Sequence, residues 1–232
     1  MRKSFVLLVA LLSFCCHSWA QYDDDYEPID AETLRQAMAG DVEAMHSVAS
    51  DYEHVRMDSA IYWYERASQE GYMFSQSRLG EIYEKYEPRN YEKAAHWYQK
   101  AAEQGYNWAQ YRIGHFYRVG IGVARDEKLA EEWLGKAARQ GACWGYPQCE
   151  YAIYYAKGDE KKKFLQEAAE QRLLEGRVAL AQLLESEGNN EEALRLYQDG
   201  SLIFNNVFPD TDKEEYDRLK QVCLDALDRL DK

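Results

Sequence analysis

The histidines are the first residues to consider for chemistry, because metal sites and general bases commonly use them. Four of them follow the first twenty residues: His46, His54, His96 and His115. None belongs to an HExxH pair, and His46 and His54 lie eight residues apart. On one helix that spacing separates the two side chains by about 12 Å, which is too far for a shared metal ion. The sequence therefore predicts no metal site.

The usual nucleophile and phosphate-binding patterns are also absent from the sequence. It contains no Ser-x-x-Lys or Gly-x-Ser-x-Gly motif, and no glycine-rich phosphate loop follows a strand pattern. The 41 acidic residues are typical of a solvated surface. We therefore expect no cofactor and no catalytic activity. A hydrolase that uses a carboxylate in a groove is the alternative, although the pattern singles out no carboxylate for that role.

The first twenty residues have the pattern of a secretory signal peptide. Arg2 and Lys3 precede an apolar run of twelve residues, and Ser18 and Ala20 supply the small residues of a cleavage site. The run is too short to span a bilayer, so we predict no membrane insertion. Cleavage would change the formal charge from −13 to −15, which argues against nucleic acid and anionic lipid as ligands. We expect export to the periplasm of a Gram-negative bacterium, with an endoplasmic reticulum lumen as the alternative.

One phrase of eleven residues occurs three times in the chain. It reads YWYERASQEGY from Tyr62, HWYQKAAEQGY from His96 and EWLGKAARQGA from Glu132, at spacings of 34 and 36 residues. Apolar residues recur at i, i+3, i+4 and i+7, counted from the alanine two residues before each phrase (Ala60, Ala94 and Ala130), which is one face of an α-helix. Two weaker copies of this face begin at Lys161 and Ala193. Each strong copy ends at a glycine that can close its helix in the left-handed conformation: Gly71, Gly105 and Gly141.

A second helical pattern precedes each phrase. Its small first residue is followed by residues of the helix face four and eight positions later, and the five copies start at Ala44, Ser75, Ala109, Gly145 and Gly176. A second small residue in four copies predicts a close approach of two helices: Ala49, Gly80, Gly114 and Ala181. Glu150 is the exception. We predict a helix–turn–helix unit of 31 to 36 residues, repeated about five times and stacked to bury its apolar faces. Expected N-caps of the second helices are Asp58, Asn90, Asp126, Asp159 and Asn190.

Both ends of the repeats have the pattern of capping helices. A short helix is predicted over Asp30–Ala39, and Thr211-x-x-Glu214 resembles a capping box before a final helix. Phe204 and Phe208 in the intervening connector are expected to pack on the last pair. The predicted domains are a signal peptide (1–20), an acidic flexible N-terminus (21–29), a repeat solenoid (30–200), and a connector with a C-terminal capping helix (201–232).

The unit from Gly105 to Gly141 resembles the Sel-1-like repeat, a relative of the tetratricopeptide repeat. The matching residues are Ala109, Ile113-Gly114, Tyr117, Gly120-Ile121-Gly122-Val123, Asp126, Ala130, Trp133 and Lys136-Ala137-Ala138. The resemblance extends from about Gly40 to Gly200 and is weaker in the last two units. It implies an all-α fold, a right-handed α-solenoid of about five helix–turn–helix repeats with N- and C-terminal capping helices. It also implies a scaffold that binds other proteins.

The same resemblance implies a more specific function. Exported Sel-1-like proteins of this size include immunity proteins, which block toxin effectors such as phospholipases delivered by type VI secretion. We therefore expect a periplasmic protein that is monomeric before binding and that occludes the active or membrane-docking surface of such a toxin. An acidic protein would suit a basic toxin surface, since complementary charge speeds encounter. The alternative is an envelope scaffold for secretion, polysaccharide export or cell-wall assembly.

Aromatic residues that differ between the units predict where a partner binds. Phe74, Trp108 and Trp144 occupy one repeat position, and Tyr72 and Tyr106 precede the first two of them by two residues. Such residues dominate protein interfaces, so we predict that these five form a partner-binding aromatic row. The alternative is that each ring fastens the start of its helix to the preceding helix. The tryptophans of the second helices are predicted to lie in the core: Trp63, Trp97 and Trp133.

Three cysteines follow the predicted signal peptide: Cys143, Cys149 and Cys223. Cys149 occupies a buried position of the repeat, so a free buried thiol is one interpretation. An exported protein can form disulfides, and the favoured prediction is a short Cys143–Cys149 bridge across the helix start. Cys223 is then the unpaired thiol, on the apolar face of the last helix.

Overall fold

The computed structural model describes residues 29–141, 143–202 and 213–230. Within those ranges the chain forms twelve α-helices and no strand. The helices are α1 (Ala31–Ala39), α2 (Val42–Glu53), α3 (Met57–Gln69), α4 (Met73–Lys85), α5 (Tyr91–Glu103), α6 (Asn107–Val119), α7 (Glu127–Gln140), α8 (Tyr146–Tyr154), α9 (Gly158–Glu170), α10 (Leu174–Ser186), α11 (Asn190–Ser201) and α12 (Lys213–Leu230). The predicted signal peptide, nearly all of the acidic N-terminus, and the connector with Phe204 and Phe208 lie outside the described residues.

The helices pack in the order that the repeat predicts. Helices α2 to α11 form five pairs, and the second helix of each pair also contacts the first helix of the next. Helix α1 packs on α2 at one end, and α12 packs on α11 and α10 at the other. The predicted α-solenoid of five units with a helix at each end is therefore confirmed. No helix in the described ranges is both long and apolar enough to cross a membrane.

The small residues inside the first helices lie where two helices approach closely. A Cβ atom on Gly80 would lie 2.6 Å from Cδ1 of Tyr98, and one on Gly114 would lie 2.9 Å from the backbone nitrogen of Leu134. Real Cβ atoms do not come that close to other atoms, because protein interiors are already packed to crystal density. Ala49 is fully buried at the equivalent position of unit one. The predicted close approach is confirmed.

The structure confirms the three predicted glycines at the helix ends, but only two of the five predicted N-caps. Gly71, Gly105 and Gly141 all have positive φ, at 89°, 89° and 63°. Asn90 and Asp126 cap α5 and α7 by accepting hydrogen bonds from backbone amides of the first turn. The other three N-caps were wrong: the helices begin one or two residues earlier, so Asp58, Asp159 and Asn190 lie in the first turn. The two carboxylates there still interact favourably with the positive helix end.

The core is a stack of apolar helix faces. Trp63 and Trp133 are 9% and 7% exposed, and Trp97 packs half-buried against the apolar cluster formed by α1 to α4. These three tryptophans therefore lie in or against the core, as predicted. The stack holds the starts of neighbouring first helices close together, and the residues predicted to form the aromatic row lie at these starts.

Candidate protein-binding surface

Four aromatic rings contact one another in succession across the starts of the first three units. The ring centroids of His46 and Tyr72 are 5.3 Å apart. Phe74 follows at 5.4 Å from Tyr72, and Tyr106 at 5.4 Å from Phe74, both with edge-to-face geometry. Such spacings are typical of favourable aromatic pairs. Phe74 is 41% exposed and the other three rings are partly buried. We call these four residues the aromatic edge.

The glycine turns of the repeat position this edge. Tyr72 and Tyr106 are the N-cap residues of α4 and α6, and each directly follows a left-handed glycine. Phe74 is the second residue of α4, immediately before the fully buried Ser75. The first residues of a helix precede its packed turns, so their side chains can reach across to the next unit. Three of the five predicted binding residues are brought together in this way.

From the sequence, His46 is a candidate only for metal binding, but in the structure it belongs to the aromatic edge. Its Nδ1 lies 2.9 Å from the hydroxyl oxygen of Ser75, and burial holds the pKa of the imidazole below its usual value. Its ring packs between Tyr64 and Tyr72. The sequence contains no signal for this role, because the residues at the same repeat position in the next units are Ser77 and Tyr111.

Trp108 is turned into the molecule and does not extend the aromatic edge. Its ring lies 5.4 Å from Tyr111 and 6.4 Å from Tyr146, and the guanidinium of Arg112 lies 5.8 Å from it. It is half-buried and packs against the apolar clusters of both neighbouring units. Trp108 therefore fits the alternative prediction, in which the ring fastens the start of its helix to neighbouring helices, and not the prediction of an exposed row.

Trp144 is exposed, but it lies in the turn before α8 and not in the first turn of that helix. It is 71% exposed, with φ of 61° in a short 3-10 turn. Gly145 has positive φ and Pro147 lies in the first turn of α8, so this helix begins only at Tyr146. The equivalent helices α4 and α6 begin one residue before Phe74 and Trp108. The late helix start therefore removes Trp144 from the predicted register.

The predicted Cys143–Cys149 bridge is not formed in the structure, in which both thiols and Cys223 are free. The Cys143 thiol lies 2.7 Å from the side-chain oxygen of Asn107 on α6. Cys149 is fully buried and packs with Ala168 and Leu173 on the other side of the helix start. The two side chains point to different neighbours because the left-handed residues at 143–145 turn the chain between them.

The helix starts that form the aromatic edge contain carboxylates and no lysine or arginine. The three stretches are 39–46, 69–76 and 103–110, and their acidic residues are Asp41, Glu43, Glu70 and Glu103. The nearest part of the first-helix surface adds further negative charge, because the single guanidinium of Arg78 is shared between two carboxylates, Glu53 and Glu81.

The tyrosines of the edge respond to this acidic environment. Burial raises the pKa of the Tyr72 hydroxyl, and the charges of Glu43 and Asp41 raise it further. The pKa of Tyr106 is raised by burial and then by Glu81. Negative charge near a phenol raises its pKa because it disfavours the ionised form, which is the direction of the carboxylate effect on both tyrosines. The edge therefore combines the exposed ring of Phe74 with acidic residues that have no basic residue among the same helix starts.

Partly or fully buried ion pairs occupy the contacts between neighbouring first helices. Nε of Arg78 donates to Glu53 at 2.7 Å. Arg112 pairs with Glu84, and these side chains are only 2% and 9% exposed. Tyr98 also donates to Glu84 at 2.7 Å. Glu53 and Glu84 therefore already have partners within the chain.

Glu150 repeats this arrangement between units three and four. It accepts a hydrogen bond from Arg118 at 2.5 Å and lies 2.9 Å from Nδ1 of His115. Burial alone would raise the pKa of Glu150, but hydrogen bonds and the charges of His115 and Arg118 outweigh it and hold the pKa below its usual value. The exception to the small-residue rule is thus a buried ion-pairing site, which a single sequence does not reveal.

No group of side chains that could hold a metal ion occurs in the described part of the chain. A cleft of about 420 Å³ lies along α5, lined by residues that include His96, Lys100 and Tyr117. Its lining contains no serine, threonine or cysteine that could act as a nucleophile. The aromatic edge is therefore the stronger candidate for the functional surface.

Comparisons with known proteins agree with this architecture. The family model described as Sel1 repeat matches residues 57–72, 74–106 and 109–141. A protective antigen of uropathogenic Escherichia coli that displays an SLR fold superposes with a TM-score of 0.67 at 21% identity. The comparison covers 83% of this chain and 48% of the antigen, so the chain spans about half of that protein's length. No curated protein matches the chain.

Two further solved structures are similar over much of their length. A Sel1 repeat protein from Oxalobacter formigenes is 32% identical, with 53% of this chain and 96% of that protein covered and a TM-score of 0.49. An immunity protein from Pseudomonas aeruginosa is 19% identical, with 90% and 85% covered and a TM-score of 0.44. The latter likeness is too distant to carry an argument about function. The repeated family match and the helix pairs together show that this chain belongs to the Sel1-repeat family.

Proposed function

We propose that this protein is an exported immunity protein of the envelope. It binds a toxin effector, such as a phospholipase delivered by type VI secretion, and covers the active or membrane-docking surface of that toxin. The proposal joins a protein-binding repeat fold to the export that the first twenty residues predict. The partner-binding surface in this proposal is centred on the aromatic edge, with Trp144 as a separate exposed contact.

The observation that carries the proposal is the chain of rings from His46 to Tyr106. A partly exposed phenylalanine is held between two tyrosines by edge-to-face contacts, so the cluster is ordered before any partner arrives. Preorganised aromatic residues lose little entropy on binding and are enriched among the residues that dominate interfaces. The neighbouring carboxylates favour a basic protein surface, and complementary charge accelerates association.

Titration calorimetry with any secreted effector found to be encoded beside this gene tests the proposal. We expect a tight 1:1 complex and loss of the effector's hydrolysis of phospholipid vesicles. Phe74→Ala is expected to weaken the complex by about 30-fold, since an anchor at the centre of an interface contributes about 2 kcal/mol. Tyr62→Ala is the matched control, because Tyr62 is 55% exposed on α3, outside the aromatic edge.

Absence of a complex with the neighbouring effector would contradict the immunity role. If the protein instead binds a component of an envelope-assembly system and leaves the toxin active, the scaffold alternative is correct. Equal effects of Phe74→Ala and Tyr62→Ala would keep a protein-binding function but place the interface away from the aromatic edge.

A further inference from the structure

The second-helix tryptophans lie in or against the core, and each makes a regular contact with a cation. Each of them has a cation from its own helix near its ring. Arg66 lies 5.1 Å from the ring centre of Trp63, Lys100 lies 5.6 Å from Trp97, and Lys136 lies 4.2 Å from Trp133. These distances are within the range of a cation–π contact. The cation comes three residues after each tryptophan, so the pairing is a regular feature of the repeat.

The rings of the aromatic edge differ in this respect. In the described part of the chain, no lysine or arginine lies over the ring of Tyr72, Phe74 or Tyr106. Phe74 is nevertheless 41% exposed. The three helix starts around it supply four carboxylates and no basic residue. A ring that is accessible, lacks an intramolecular cation and lies at helix starts whose charged residues are all acidic is well suited to a cation from another molecule.

We propose that the aromatic edge binds a lysine or arginine side chain of a partner protein, with the cation against the ring of Phe74 and within reach of Glu43 and Glu70. The proposal rests on the proposed function only in taking this edge as the partner-binding surface. It specifies the chemistry of the partner, which is a basic segment and not an apolar one.

Desolvation explains why an apolar partner fits less well. Covering Phe74 would also remove water from the carboxylates at the same helix starts, and burying an unpaired charge is costly. A guanidinium or ammonium group compensates that loss by pairing with the carboxylates while it contacts the ring. The neighbouring cluster of Arg78, Glu53 and Glu81 also favours a basic partner, because its two carboxylates share one guanidinium and leave a net negative charge.

Aromatic-detected NMR of the full protein tests this chemistry without the natural partner. The probe is a short, end-capped peptide of alternating glycine and arginine. The reference peptide carries citrulline, which has nearly the same shape as arginine but no charge. We expect the arginine peptide to shift the ring signals of Tyr72, Phe74 and Tyr106, and the citrulline peptide to bind about fivefold more weakly or worse.

Two variants separate the ring from the charges. Phe74→Leu keeps an apolar side chain but removes the ring, and is expected to weaken arginine-peptide binding about threefold. Glu43→Gln combined with Glu70→Gln is expected to weaken it by a similar factor at low salt, and less at high salt where charges are screened. The matched controls are Tyr62→Leu and the pair Glu131→Gln with Glu132→Gln on the exposed face of α7. These controls should leave binding at the edge unchanged.

Equal binding of the arginine and citrulline peptides would overturn the proposal, as would a Phe74→Leu protein that binds like the parent. Ring shifts confined to residues outside the aromatic edge would do the same. Those results leave the immunity role standing if the toxin complex still depends on Phe74. Conversely, binding of the arginine peptide at the edge together with no toxin complex would reject only the immunity role.

Discussion

The buried pair of Glu84 and Arg112 allows a quantitative test of how the repeats hold together. These side chains lie on successive first helices, are 9% and 2% exposed, and form an ion pair. Glu84 also accepts a hydrogen bond from Tyr98 at 2.7 Å, so one carboxylate joins three helices: α4, α5 and α6. The perturbation is Glu84→Gln, which keeps the shape of the side chain and removes its charge.

We expect Glu84→Gln to lower the free energy of unfolding by about 3 kcal/mol. Removing one member of a buried pair leaves the other charge without compensation and typically costs about 3–5 kcal/mol. The lower end applies because the glutamine can still accept one hydrogen bond. For a chain of this size the loss corresponds to a fall in melting temperature of about 6–12 °C.

Urea unfolding followed by circular dichroism measures this loss. The control is Glu32→Gln, whose partner Arg35 is 75% exposed. An exposed pair of this kind contributes at most about 0.5 kcal/mol. The double variant Glu84→Leu with Arg112→Met should lose less than Glu84→Gln, because apolar replacements leave no buried charge. If Glu84→Gln costs no more than Glu32→Gln, the pair does not hold the units together and the reasoning is wrong.

Four further predictions concern single features of the chain. Because folding lowers the pKa of Glu150, its stabilising effect is fully present above the unfolded pKa of about 4.5 and is lost as the pH falls through the folded pKa. Glu150→Gln should therefore lower the free energy of unfolding at pH 7, and this free energy should depend less on pH in the acidic range when measured by urea unfolding. Trp144→Gly should stabilise the protein by about 1 kcal/mol in thermal unfolding, since an exposed tryptophan at φ of 61° is strained and glycine is not; a lower melting temperature would contradict this. Gly114→Ala should cost about 1–3 kcal/mol in urea unfolding despite its better helix propensity, because the new methyl group meets Leu134; a neutral effect would show that the helices can separate. Thiol titration of the unfolded, unreduced protein should find Cys143, Cys149 and Cys223 all free, with native Cys143 slow to react because burial raises the pKa of its thiol to about 11; two missing thiols would restore the disulfide prediction.

The exceptions to the repeat pattern were the hardest features to predict. Glu150 was recognised as a departure from the small-residue rule, yet its partners His115 and Arg118 lie 35 and 32 residues earlier in the chain. Trp108 and Trp144 occupy one repeat position, but one packs inward and the other is exposed on a turn. The difference arises because Gly145 and Pro147 make α8 begin at Tyr146, later than the repeat register predicts.

The sequence by itself determined the helices, their pairing and the stacked architecture, because these depend on short-range periodicity and on glycines at fixed offsets. Apolar spacing specifies which face of each helix is buried, whatever the neighbouring unit contains. The tertiary structure decided which side chains meet across units: the rings from His46 to Tyr106, the buried ion pairs, and the separation of Cys143 from Cys149. The ring contacts and ion pairs that link one unit to the next join residues 25 to 35 positions apart, and their geometry depends on how whole helices pack, which no local pattern encodes.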